Sequence, residues 1–173
     1  MSDSDTINRK ALKRLSEAPV DNFFVDSLRN AVLPGHDFTP YPTYQHKPSS
    51  EVLLARVALR IFHCDISGGN FSNLDLRGNS FKHTKLDGAN FNNAHIGSVT
   101  FDDTNSLKGA SFQGAVFHKT IFRDTDISGV DFQKADLTGV NFLSANLEGA
   151  NLSGARLAGA NLNAANIKNA DLR

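Results

Sequence analysis

The chain has a single cysteine, no net charge, no long apolar run and no recognisable catalytic motif, and each scarcity removes a class of protein. Cys64 has no second thiol to pair with, so an internal disulfide is excluded and the residue reads as a small buried side chain. Eighteen Lys and Arg face eighteen Asp and Glu, and the balance persists within the chain: eleven against eleven over residues 60–173, seven against seven over 1–59. Without a field of one sign, nothing steers nucleic acid or an anionic membrane toward the protein, so neither is an expected partner. No apolar stretch approaches the length of a membrane span, and the polar start Met1-Ser2-Asp3-Ser4-Asp5 is unlike a secretory signal, which predicts a cytoplasmic protein while leaving export by other routes open. A nucleophile elbow, a phosphate-cradling loop and Cys/His metal spacing are all missing, so no cofactor, metal or catalytic residue is predicted.

What the chain has is a five-residue period, seen 22 times between Ile66 and Leu172: a small residue, a polar one, a central Leu, Ile or Phe, then two mostly polar residues. Five matches neither a helix nor a plain strand, so each unit must contain its own bend and form one short side of a solenoid coil. Residues one coil apart stack and should match in size. Four units per coil meets that condition. The centres then sort into columns Ile66-Leu86-Leu107-Ile127-Leu147-Ile167, Phe71-Phe91-Phe112-Phe132-Leu152-Leu172, Leu76-Ile96-Phe117-Leu137-Leu157 and Phe81-Phe101-Phe122-Phe142-Leu162. Phe71, Phe81, Phe91, Phe101, Phe112, Phe122, Phe132 and Phe142 are the predicted structural core, and Phe117 is the one violation of the alternation. The step from Phe101 to Leu107 is six residues, which predicts a corner bulge within Asp102-Asp103-Thr104-Asn105-Ser106. Gly68, Gly88, Gly109, Gly129 and Gly149 recur once per coil, as one corner would require.

The units Ala135-Asp136-Leu137, Ala150-Asn151-Leu152 and Ala170-Asp171-Leu172 follow the motif A(D/N)LXX, and residues 64–173 resemble the pentapeptide-repeat family. The resemblance implies a right-handed quadrilateral β-helix, here of about five and a half coils at strand spacing. The family also includes proteins that protect DNA gyrase by imitating a DNA duplex, and bacterial proteins delivered into host cells. Duplex imitation needs a densely negative face, and this neutral chain departs from that pattern.

Residues 1–62 read as a separate appendage and cap, before a β-helix over 63–173. Helices are expected from about Ser4 to Pro19 and from Asp21 to Pro34-Gly35. An extended proline-rich stretch with Tyr41 and Tyr44 should follow, and residues 51–62 then read either as the entering strand or, by preference, as a short helix that lids the first coil. At the other end nothing follows to cover Leu152, Leu157, Leu162 and Ile167, which predicts a homodimer by end-to-end packing of C-terminal coils. The expected activity is a noncatalytic interaction module for a protein partner. Asp102, Asp103, Asn105, Val116, Ile121, Tyr41 and Tyr44 are the candidate contact residues. A competing reading as a metal-dependent enzyme would use the outward column His83, Asp103 and Asp124, although an ordinary charge ladder explains it more simply. Asp87 over Lys108 and Glu148 over Lys168 read as further ladders.

Overall fold

The computed structural model describes residues 25–29, 34–35, 55–56, 59–103 and 105–173. Within them a parallel ladder advances one coil every twenty residues, pairing Asp65 with Lys85, Asn70 with Asn90, Asp75 with His95 and Ser80 with Arg60. Four such columns make four walls of a quadrilateral β-helix. Each wall carries alternating bonds: Phe71 N–H donates to Asn90 O at 2.7 Å, and Asn90 N–H donates back to Gly69 O at 2.9 Å. The motif also explains its own turn. Where Asp or Asn precedes the centre, it accepts the amide of the residue after the centre, as from Ser72 to Asn70 (3.1 Å), Asn92 to Asn90 (3.0 Å) and Lys168 to Asn166 (3.1 Å).

Inside, the Phe columns pile up as predicted. Phe71, Phe91, Phe112 and Phe132 stack at centroid distances of 4.8, 4.7 and 5.3 Å, and Phe101, Phe122 and Phe142 at 4.9 and 5.4 Å. Rings from opposite walls meet edge to face, Phe112 against Phe122 at 6.2 Å and 83°. Phe117 inserts between them, within 5.5–5.9 Å of Phe112, Phe122 and Phe132, so the odd residue in its column fills the same dry interior.

The coil step lengthens to 21 between Lys85 and Ser106 and between Thr100 and Ile121, and returns to 20 from Ser106 to Asp126, which places the extra residue at the expected bulge. Asn105 closes it from within: its side-chain amide donates to the carbonyls of Phe81 and Thr84, and its oxygen accepts Asp102 N–H at 3.2 Å. Thr84 and Thr125 hold the equivalent position in adjacent coils and bond the carbonyls of Ile61 and Phe101. Corners use the left-handed region throughout. Gly68 and Gly88, at φ of 68° and 65°, occupy the corner where glycine recurs, while His63, His83, Asp124, Ser144 and Ala164 line another at 54–58°.

Two expectations fail at the N-terminal end. The second helix is replaced over β1 (Val25–Arg29) by a strand parallel to β3 (Leu59–Phe62), which itself pairs with β5 (Ser80–Lys82). Within 51–62 the described residues take the entering-strand reading and not the lidding helix: β2 (Ala55–Arg56) pairs with β4 (Leu74–Asp75), and β6 (His95–Gly97) and β7 (Val116–His118) continue that wall. The reason is the edge. An apolar coil end exposes unpaired amides and carbonyls along each wall, and a strand satisfies them in register where a helix would not. Gly35 follows the same rule, its N–H donating to Ser67 O at 2.6 Å with φ 69°, beside Gly68. The first expected helix, Tyr41 and Tyr44 lie outside the described residues.

Candidate functional site

From residue 63 onward, charged side chains are spread evenly over the four walls. Three cations and four carboxylates lie on the wall of Ile66, two and two on that of Phe71, three and two on that of Leu76, and two and three on that of Phe81. Most are bound to a neighbour. Arg77 grips Asp75 with two bonds of 2.8 and 2.6 Å, Lys108 reaches Asp126 at 3.1 Å, and Arg156 lies 3.6 Å from Asp136. Lys108 thus pairs with the next coil's carboxylate, while Asp87 accepts Ser106 Oγ and the Lys108 amide. Glu148 accepts Asn166 Nδ2 at 3.3 Å, and Asn166 also donates to Asn146 at 2.9 Å.

These contacts set the titration of the walls. The Ser67 hydroxyl holds the Asp65 carboxyl below its usual range, and the Thr138 hydroxyl does the same for Asp136. At Asp126, burial pushes upward but bonds from Ser128 and Lys108 outweigh it and lower the value. Arg173 brings Asp171 down to about 2. Burial lowers His95, with nearby Asp75 opposing.

The expected contact residues are scattered. Val116 is 39% exposed on the Leu76 wall, and Ile121 is half-buried on the adjacent one. Asp102 is half-buried and Asp103 exposed at the bulge, whereas Asn105 faces inward, 6% exposed, with its amide spent on backbone. Half-buried Leu143, unremarked in the sequence, is diagonal to Ile121 on the same wall.

The column His83, Asp103 and Asp124 does not converge. Asp124 turns to Arg123 at 3.1 Å, and among the described residues no group of three His, Cys, Asp or Glu side chains is placed to share an ion. The sequence reading missed His63, twenty residues before His83, whose ring stacks on that of His83. An open depression of about 210 Å³ on the Phe71 wall is lined by Asn92, Asn93, Gln113, Gly114, Gln133 and Lys134. It falls short of the roughly 300–1,000 Å³ of a small-molecule pocket.

Two family profiles match the chain, one described as a pentapeptide repeat region over residues 60–132 and one as pentapeptide repeats (8 copies) over 141–173. No curated protein is recognisably similar in sequence. Among solved structures, a pentapeptide repeat protein of the Arabidopsis thaliana thylakoid lumen is 34% identical, over 63% of this chain and 68% of its own, with a TM-score of 0.37. A trypsin-treated variant of QnrB1, a plasmid-mediated fluoroquinolone resistance protein, is 20% identical over 89% and 80%, with a TM-score of 0.49. HetL, involved in heterocyst differentiation regulation in the cyanobacterium Nostoc, is 20% identical over 98% and 96%, with a TM-score of 0.29.

Proposed function

Because the chain belongs to the pentapeptide-repeat family, we propose that it is a noncatalytic interaction module, a rigid β-helix acting in the cytoplasm that presents its walls to a protein partner. The observation that carries this reading is the state of the walls: flat, each within one charge of neutrality, their polar groups largely bonded to one another. Turnover needs convergent groups in a water-excluded cleft, and such walls offer recognition in its place. Where Val116 and Ile121 take the place of the polar residue before the centre, an apolar side chain stands among polar neighbours, and these positions are the proposed contact points together with Asp102 and Asp103. Full-length protein carrying an affinity handle should retain a specific partner that the double variant V116D/I121D loses; equal recovery by both would move the contact elsewhere, and recovery of nothing by either would refute the module.

Duplex imitation toward gyrase and secreted-effector activity are alternatives that the resemblance raises. The neutral walls oppose the first, and a supercoiling assay decides it: inhibition or drug protection at micromolar protein would overturn the charge argument. A second copy packing end to end is also proposed: of the residues expected to lack cover, Leu152 is in fact buried at 1% and Leu157 and Leu162 are partly buried, while Ile167 is 42% and Leu172 52% exposed. Light scattering should then report a dimer that I167K/L172K converts to monomer.

A further inference from the structure

We propose that His63 and His83 together bind a divalent transition-metal ion of the zinc, nickel and copper class. The two residues leave equivalent corners of successive coils with φ of 55° and 54°, so their Cα–Cβ bonds run side by side on a backbone the ladder holds fixed. Their rings lie 4.5 Å apart between centroids and 3° from parallel, and both residues are exposed. His63 N–H donates to Lys82 O at 3.1 Å, which locks the corner that carries the first ring to the coil that carries the second.

A neutral imidazole offers one nitrogen lone pair, and imidazole nitrogen prefers zinc, nickel and copper over calcium or magnesium. Metal–nitrogen bonds of about 2.0–2.1 Å require the two nitrogens to approach within roughly twice that distance. Rings stacked 4.5 Å apart and 3° from parallel hold their in-plane lone pairs side by side, so binding requires each ring to turn until the two nitrogens face one point. No third ligand converges among the described residues, so water completes the coordination and the site is open. The other described histidines, His95 and His118, stand in different columns without a stacked partner and provide an internal control.

The test is calorimetric titration of the untagged full chain with zinc chloride, and separately magnesium chloride, alongside the variants H63N, H83N and H118N. Asn suits the left-handed corner, as Asn73 and Asn93 do at another corner, so the coils should survive. Zinc is expected to bind at one site and magnesium not at all. H63N and H83N should each weaken zinc by about tenfold or more, and H118N should leave it unchanged. Proton NMR of the wild type reads the same event without any variant, through zinc-dependent shifts confined to the His63 and His83 ring protons. Absence of heat at millimolar zinc, equal effects of all three variants, or ring shifts elsewhere would each overturn the proposal.

Discussion

Replacing Asn105 tests whether the bulge is held by its buried side chain or merely tolerated by the coil. The residue is 6% exposed, donates to the Phe81 and Thr84 carbonyls and accepts Asp102 N–H at 3.2 Å. Asn105→Leu keeps the branched four-atom skeleton, with bulkier methyl tips, but removes all three bonds. It orphans at least the Phe81 carbonyl and the Asp102 amide, each costing about 1–3 kcal/mol, for an expected loss of about 2–6 kcal/mol. Asn105→Thr imitates Thr84 and Thr125, which bond the matching carbonyls of their neighbouring coils, so it should recover the bond to Phe81 and lose the Asp102 acceptor and the longer bond to Thr84, about 1–3 kcal/mol. The predicted order is wild type, then Thr, then Leu. Urea unfolding followed by circular dichroism gives it directly, provided the slopes agree between variants. A Leu variant as stable as wild type would refute the account, because packing alone would then suffice at the bulge.

Phe112→Ala removes a fully buried ring from between Phe91 and Phe132 and should cost about 3–5 kcal/mol in the same assay. A Cβ on Gly97 would stand 2.9 Å from Arg77 Cγ, so Gly97→Ala should displace the guanidinium from Asp75 and cost about 1–3 kcal/mol. That cost should shrink in an Arg77→Ala background, and additivity in the double-mutant cycle would contradict it. Asp65, Asp126, Asp136 and Asp171 are all depressed in the folded chain, and so is His95, by burial. A depressed folded value means the unfolded chain takes protons first. The associated stability is therefore complete above the unfolded values and drains as pH falls, for His95 below about 6.5 and for the carboxylates below about 4, with Asp171 the one that reaches about 2. Urea midpoints measured from pH 7 to 2 should decline in those two stages, with His95→Gln abolishing only the first.

The repeat itself was legible because a five-residue unit forces the same environment on every fourth centre, so column identity, the bulge after Phe101 and the glycine corner could be read without coordinates. The N-terminal strands were not, because there the period is interrupted while the register survives. Leu28 pairs with Ile61 and Gly35 bonds beside Gly68, a step of seven residues in both cases. The sequence Ala31-Val32-Leu33-Pro34-Gly35 repeats the small-x-Leu-x-Gly pattern of Ala145-Asn146-Leu147-Glu148-Gly149, a signal masked by the equally helical spacing of Phe24, Leu28, Ala31 and Val32. Asn105 was misplaced for a related reason. Its position is that of the small inward residue, where Asn looked too large and polar, and only the carbonyls opened by the corner explain its burial. His63 was overlooked because the coils were counted from Ile66, which left its ring outside the column it begins.

The walls also limit how a partner binds. A ladder such as Lys108 to Asp126, or Arg156 to Asp136, has already satisfied its charges, and a partner approaching it would have to break those contacts to make its own. Exposed pairs of this kind contribute about 0–1 kcal/mol in place, so exchanging them yields little affinity. Apolar contact is different. Burying Val116, Ile121 or Leu143 under a partner removes hydrocarbon from water without breaking any bond, at roughly 25 cal/mol per Å². Under the proposed function, recognition by such a rod would therefore concentrate at the few positions where the repeat departs from its polar pattern, with the long neutral walls holding those positions at fixed spacing.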